Sequence, residues 1–168
     1  MKSLLAGPKY PAADPKKWLR KSNPKTDLNI DPNFLSRLAA LAAHFKKPLY
    51  ISSGYRSVEQ QIVLYKKSGG KQDPRGNWFG GNGRAGKPGN SKHNFGLAVD
   101  VSSLWAKAIE QEESTADQKI LKKFGLYKPM TRGNDTNIFE NWHIQPIELS
   151  GQKPGKWAVF KAYYGAQY

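Results

Sequence analysis

Two short segments of the 168-residue chain carry residue types that could bind a metal ion and move protons. The first contains His93 and Asp100, and the second contains Glu140 and His143. A catalytic zinc site takes three protein ligands and leaves one position for water. A further group, which is not a ligand, must then move protons to and from that water. Two imidazoles and two carboxylates meet this need if one carboxylate binds the metal and the other moves protons.

The predicted strands indicate where the two carboxylates lie. Asp100 falls in the apolar run 97–101, where an unpaired carboxylate is costly and a metal ion would neutralise it. Glu140 lies three residues before His143, and positions three apart in a regular strand point to opposite faces. Both reach one centre only if a turn or bulge separates them, so we place Glu140 at the start of the strand and His143 within it. The alternative is that His93 and His143 are ordinary surface or core-edge histidines, and composition alone favours that alternative.

Periodicity and capping signals predict the elements that position these residues. They predict a helix with its N-cap at Asp31, a strand over 49–52, and a helix that begins with a capping box at Ser57. Further along the chain we predict a strand over 97–101, helices over 104–113 and 115–123, and a strand within 140–147. These elements predict an α+β fold, in which a small antiparallel sheet carries the metal site and helices flank it.

Length and composition favour one domain over residues 1–168. Its first part, 1–32, is rich in Pro and Lys and is predicted to be an extended arm packed on the domain, with one helical turn near Trp18. Residues 69–92 form a Gly-rich loop, and its aromatic residues Trp78 and Phe79 favour a lid that faces the substrate over a disordered insertion.

The composition also excludes several kinds of site. The chain has no cysteine, so disulfides and thiolate metal sites are excluded. Any zinc ion must therefore be held by histidines and carboxylates, and the chain has only three histidines. No apolar run approaches the ~20 residues of a membrane span, so we expect no transmembrane segment. The net charge of +14 indicates either a polyanionic target, such as nucleic acid, anionic lipid or an anionic cell-wall polymer, or a basic surface that keeps the protein soluble. Charge alone does not choose between them. No helix-turn-helix or comparable motif is present, so we expect no specific nucleic-acid partner.

Three motifs resemble one family when they are taken together. The spacing Ser-x-His-x-x-Gly-x-Ala-x-Asp over 91–100, followed by Glu-x-Trp-His over 140–143, resembles the zinc D-alanyl-D-alanine carboxypeptidases and dipeptidases. Relatives of that family include the L-alanyl-D-glutamate endopeptidases of phage endolysins. The segment Ser-Gly-Tyr-Arg-Ser over 53–57 also matches, in the same order along the chain. Hedgehog-type signalling domains share this architecture, so the fold alone does not establish catalysis.

The resemblance implies a role for each matching position. His93, Asp100 and His143 would be the three zinc ligands, and Glu140 would be the general base. Arg56 would hold the substrate or stabilise the developing oxyanion. We also expect two residues near these motifs, Ser91 and Gln61, to contact the substrate.

The function that follows is zinc-dependent hydrolysis of peptidoglycan stem-peptide amide bonds. We expect an L-alanyl-D-glutamate endopeptidase that lyses cell walls in the manner of a bacteriophage endolysin, with D-alanyl-D-alanine carboxypeptidase as the alternative. A hypothesis of another class is a non-catalytic binding protein that keeps zinc for stability. The apolar run at 4–6 is too short for a signal peptide. We therefore expect synthesis in the cytoplasm and action on the wall after release. The resemblance to small endolysins implies a monomer.

Overall fold

The structure is a computed structural model, and it describes the chain in five pieces: residue 5 and residues 9–83, 85–112, 118–129 and 140–150. The α-helices of these pieces are α1 Pro15–Trp18, α2 Pro32–His44, α3 Val58–Lys67, α4 Ser103–Glu112 and α5 Lys119–Lys123. Two 3-10 helices cover Lys92–Phe95 and Ile147–Leu149. The strands are β1 Leu19–Lys21, β2 Leu49–Ser53, β3 Gly70–Gln72, β4 Trp78–Gly80, β5 Val99–Val101, β6 Leu126–Tyr127 and β7 His143–Pro146.

Helix α2 supplies much of the core, and its sequence accounts for both its start and its buried face. The carboxylate of Asp31 accepts hydrogen bonds from the backbone N–H groups of Asn33 and Phe34, which caps the first turn. Phe34, Leu38 and Leu41 follow at steps of four and three and are fully buried. The predicted helix is therefore confirmed.

The order of the strands in the main sheet brings chemistry-bearing residues into one row. Five strands pair in the order β1-β2-β5-β7-β6. Ser53 on β2 is the Cα partner of Asp100 on β5, and Asp100 is in turn the partner of His143 on β7. Side chains of directly opposed residues lie on the same face of a sheet. The pairing register alone therefore brings Ser53, Asp100 and His143 together.

The predicted α+β class is confirmed, and the sheet contains one strand that the sequence did not reveal. Strand β1, which comes from the predicted arm, pairs with β2 in parallel, whereas the other pairs of the main sheet are antiparallel. The helical turn expected near Trp18 is present as α1. Its three-residue neighbour β1 is too short for periodicity to predict it.

Two other regions differ from the prediction. The predicted Gly-rich loop 69–92 contains the antiparallel hairpin β3–β4, in which Lys71 is paired with Phe79. The predicted helix over 115–123 begins at Lys119 in the described part, and residues 113–117 lie outside it. The side chain of Gln118 does not cap that helix, because it bonds to the backbone N–H and C=O of Lys128.

The arm packs behind the strands that carry the row of polar residues. The backbone N–H of Tyr55 donates to the carbonyl of Asp27, and the N–H of Asp31 donates to the carbonyl of Gly96. Among the helices of the described residues, none combines the length and the apolar character that a membrane crossing requires.

Gly96, which precedes β5, packs closely against the arm. Its φ of +64° is in the left-handed region, and a Cβ atom there would lie 2.7 Å from the carbonyl oxygen of Asn29. Gly89 has a similar φ of +68° but no heavy atom within 4 Å of such a Cβ position. The two glycines therefore share the same backbone strain and differ in the space around them.

We expect Gly89→Ala to cost about 1–2 kcal/mol of unfolding free energy, which is the left-handed strain of an L-residue. Gly96→Ala should cost a further 1–3 kcal/mol or so, because the methyl group also overlaps the arm. Urea denaturation of both variants measures the difference. Equal losses would contradict the close packing of the arm against Gly96.

Candidate metal centre

Three predicted ligands converge at the centre of the main sheet. Asp100 lies on β5, His143 lies opposite it on β7, and His93 lies on the 3-10 helix that precedes β5. One potential ligand atom from each residue lies within 4.8 Å of the other two. Both histidines are buried and the carboxylate is partly buried, so the cluster is not a chance meeting of surface side chains.

The imidazole of His93 is oriented by the backbone behind it. Its Nδ1 lies 2.7 Å from the carbonyl oxygen of Gly54, which can only accept, so Nδ1 carries the proton. The neutral ring then presents the lone pair of Nε2 to the centre, 3.6 Å from Oδ2 of Asp100. A backbone carbonyl that fixes the tautomer in this way is typical of metal-binding histidines.

Asp100 is kept ionised in spite of its burial. Burial alone would raise the pKa of this carboxyl group, but the protonated rings of His143 and His93 hold the pKa well below its usual range through their hydrogen bonds and positive charge. Oδ1 of Asp100 lies 2.9 Å from Nδ1 of His143. The centre therefore contains an anionic oxygen next to two imidazole nitrogens.

Glu140 reaches the same cleft through a tight turn. Residues 141–142 form a turn before β7, and the N–H of His143 donates to the carbonyl of Glu140 at 3.3 Å. Glu140, Trp142 and the three predicted ligands line one cleft of about 390 Å³. The turn that the sequence requires between Glu140 and His143 is thus present. Trp142 forms part of the cleft wall and is 40% exposed.

Arg56 lies on the other side of the cleft and is held by two neighbouring side chains. Its guanidinium donates to Oε1 of Gln61 at 2.7 Å and to Oγ of Ser53 at 2.9 Å. Burial lowers the pKa of Arg56, while the charges of Asp100 and Glu140 raise it in part. The cation is thus fixed in position 3.9 Å from the carboxylate of Asp100.

The two predicted substrate contacts have different positions. Ser91 lines the cleft beside His93, where a substrate could reach it. Gln61 is fully buried and does not line the cleft. Its amide donates to the carbonyl of Gly86 at 2.7 Å and accepts from Arg56. Gln61 thus holds the Arg56 guanidinium from a buried position, and its contact with a substrate stays a prediction.

Two residues beside the centre were not identified as site residues from the sequence. Gln145 lies two positions after His143 on β7, and its amide nitrogen is 2.7 Å from Nε2 of that histidine. The hydroxyl of Tyr127 donates to Oε1 of Gln145 at 3.0 Å. The alternation of a strand puts residues 143 and 145 on one face, which is the signal that could have revealed Gln145. The third histidine, His44, packs against Phe45 and Phe124 away from the centre.

The donor set suits a divalent transition metal, and zinc in particular. Tetrahedral bonds of about 2.0–2.2 Å place neighbouring ligand atoms about 3.4 Å apart. The separations of 2.9 Å and 3.6 Å from the Asp100 oxygens to the two imidazole nitrogens bracket that value. Imidazole nitrogens favour zinc over calcium or magnesium, which prefer oxygen ligands.

Comparison with known proteins places most of the chain in one group. The family model described as "VanY: D-alanyl-D-alanine carboxypeptidase" matches residues 29–147. A D-alanyl-D-alanine carboxypeptidase of Enterococcus faecium is 32% identical over 102 residues, which are 59% of this chain. The aligned region is 30% of that relative, so the chain spans less than a third of its length.

Solved structures resemble the fold at low sequence identity. The LdcB LD-carboxypeptidase is 16% identical, with a TM-score of 0.54 over 86% of this chain and 70% of that one. The vancomycin-resistance D,D-pentapeptidase VanY, in a complex with Zn(II), is 17% identical, with a TM-score of 0.49 over 82% of this chain and 83% of that one.

We expect Gln61→Leu to destabilise the protein by about 1–3 kcal/mol, because it removes a buried hydrogen-bond partner from the Gly86 carbonyl and another from the Arg56 guanidinium. Urea denaturation measures the change, and the same substitution at exposed Gln111 is the control. If the two variants unfold alike, Gln61 has no positioning role.

Proposed function

Because the chain belongs to the VanY family of D-alanyl-D-alanine carboxypeptidases, we propose that it is a zinc-dependent peptidase that hydrolyses peptidoglycan stem peptides. One observation carries the proposal: a His-Asp-His donor set, Glu140 and Arg56 all line one cleft. A binding protein that kept zinc only for stability would need the three ligands but neither Glu140 nor Arg56 at the same cleft. The arrangement therefore favours catalysis.

The zinc ion would be held by Nε2 of His93, a carboxylate oxygen of Asp100 and Nδ1 of His143. Bound there, zinc supplies Lewis-acid polarisation of the scissile carbonyl and acidification of water. Every other group that the hydrolysis needs comes from the chain itself.

Glu140 acts as the general base and then as the general acid. Its carboxylate, at the edge of the cleft, takes a proton from the attacking water and delivers it to the leaving amine. Arg56 lines the same cleft as Glu140 and offers a fixed cationic fork, which donates hydrogen bonds to the developing oxyanion or to a substrate carboxylate. Ser91 offers a hydroxyl to the peptide backbone next to His93.

We propose removal of a C-terminal D-alanine as the reaction, because the family that the chain belongs to is named for it. Arg56 supports this assignment. A carboxypeptidase must recognise a terminal carboxylate, and a guanidinium held in place by Gln61 and Ser53 is suited to bidentate binding of that group.

A second candidate is cleavage between L-alanine and D-glutamate. An endopeptidase needs a groove that continues on both sides of the scissile bond. A neighbouring cleft of about 340 Å³ shares Arg56 and Leu64 with the metal cleft, and Lys25 and Lys67 also line it. The two clefts together offer room for a chain that extends past Arg56.

We further propose that the net charge of +14 favours adsorption to the anionic cell wall.

We expect Glu140→Gln to lower the rate of peptide hydrolysis by about 10²–10⁴-fold while the protein still folds and binds zinc, because only the proton carrier is lost. His93→Ala should lose zinc and activity together. Rates on purified stem peptides and zinc content by elemental analysis check both variants. Glu112→Gln and His44→Ala are the matched controls, and full activity in Glu140→Gln would refute the catalytic role.

Product analysis distinguishes the two candidate bonds. Purified peptidoglycan is digested with zinc-loaded protein, beside a chelator-treated control, and the products are analysed by mass spectrometry. Free D-alanine is the expected product. New D-glutamate amino ends would establish the endopeptidase instead. If neither product depends on the metal, the peptidase proposal fails.

A further inference from the structure

Three side chains form a continuous hydrogen-bonded line that ends on the imidazole of His143. The hydroxyl of Tyr127 bonds to Oε1 of Gln145, and the amide nitrogen of Gln145 bonds to Nε2 of His143. His143 and Gln145 are buried, with 6% and 5% of their surface exposed. Tyr127 on β6 is the Cα partner of Gln145 on β7. The sheet itself therefore fixes the line.

The hydrogen bonds of this line determine which nitrogen of His143 carries the proton. The amide nitrogen of Gln145 can only donate, so Nε2 accepts and the neutral ring carries its proton on Nδ1. That proton is donated to Oδ1 of Asp100 at 2.9 Å. In this arrangement Nδ1 has no lone pair to offer to a metal ion.

Binding of a metal at Nδ1 requires the opposite tautomer. The proton on Nδ1 is lost to solvent and Nε2 takes one up, so the ring stays neutral. Gln145 accepts the new Nε2–H only if its amide turns by about 180° and presents Oε1. The amide nitrogen then donates to the hydroxyl of Tyr127. Because a hydroxyl both donates and accepts, Tyr127 satisfies Gln145 in either orientation.

We propose that Gln145, supported by Tyr127, is a positioning residue that can turn to accept the Nε2–H of the zinc-binding tautomer of His143 and so sustains the affinity of the centre for zinc. The proposal rests on the proposed metal centre, but it does not depend on which peptide bond is cut. The amide serves both tautomers, whereas an apolar side chain would leave Nε2–H buried without an acceptor. A carboxylate would accept permanently and favour the zinc-binding tautomer.

The first test is the zinc dissociation constant, measured by competition with a chromophoric chelator. We expect Gln145→Leu to weaken zinc binding by about 10–100-fold, which is the usual effect of removing such a partner of a metal-bound histidine. Gln145→Glu should bind at least as tightly as the unmodified protein. Gln111→Leu, at an exposed position, is the control. Unchanged zinc affinity in Gln145→Leu would overturn the proposal.

Tyr127→Phe keeps the test decisive if Gln145→Leu fails to fold. Loss of the hydroxyl removes one neutral hydrogen bond from the amide, and we expect zinc affinity to fall by about 2–10-fold. The exposed Tyr50→Phe is its control and should bind zinc normally. Equal affinities of these two variants would count against the proposal.

The second test observes the tautomer directly. The chain has three histidines, so ¹⁵N-labelled imidazoles give few resonances to assign by NMR. In mildly alkaline buffer we expect the proton of His143 to move from Nδ1 to Nε2 on addition of zinc. A proton already on Nε2 in zinc-free protein would overturn the proposal. Failure of the peptidase function would appear differently, as normal zinc binding that depends on Gln145 but without hydrolysis.

Discussion

The buried carboxylate of Asp100 is the constraint on which the rest of the site depends. A carboxylate in the middle of a sheet is costly unless donors or cations surround it. His143 donates to one oxygen, while His93 and the Arg56 guanidinium face the other at 3.6 Å and 3.9 Å. Each of these groups approaches from a different segment of the chain. Stabilising a single charge therefore assembles the ligands and the substrate-facing cation in one place.

Backbone hydrogen bonds behind the sheet connect the residues around Asp100 to the rest of the fold. The carbonyl of Gly54 orients His93, and the neighbouring N–H of Tyr55 is bonded to Asp27 in the arm. Gly96 packs closely against the arm backbone at Asn29 in the same region. The arm therefore supports the ligands from behind, although none of its described residues belongs to the His93, Asp100 and His143 cluster.

The sequence predicted the elements that carry strong local signals and the residues that carry recognisable chemistry. Helix α2 was predictable from its Asp31 cap and its apolar spacing, and the three ligands from their residue types and motif. Strand β1 was not, because three residues have no measurable period and its pairing with β2 depends on tertiary contact. The hydrogen bond that Gln61 makes was hidden for the same reason, because its partner Gly86 is distant along the chain. Strand alternation could have placed Gln145 beside His143, but not its hydrogen bond to Tyr127 on another strand.

The pairing of Asp100 with His143 has a consequence for the chain as a polymer. These two ligands are 43 residues apart, and the protein has no cysteine with which to link distant segments covalently. An ion bound to both would act as a removable crosslink. Closing a loop of that size lowers the conformational entropy of the unfolded chain by an amount worth about 4 kcal/mol in the chain-entropy description of crosslinks. The catalytic ion would thus also stabilise the folded protein as a reversible crosslink. Chelation would lower the free energy of unfolding as well as stop the reaction.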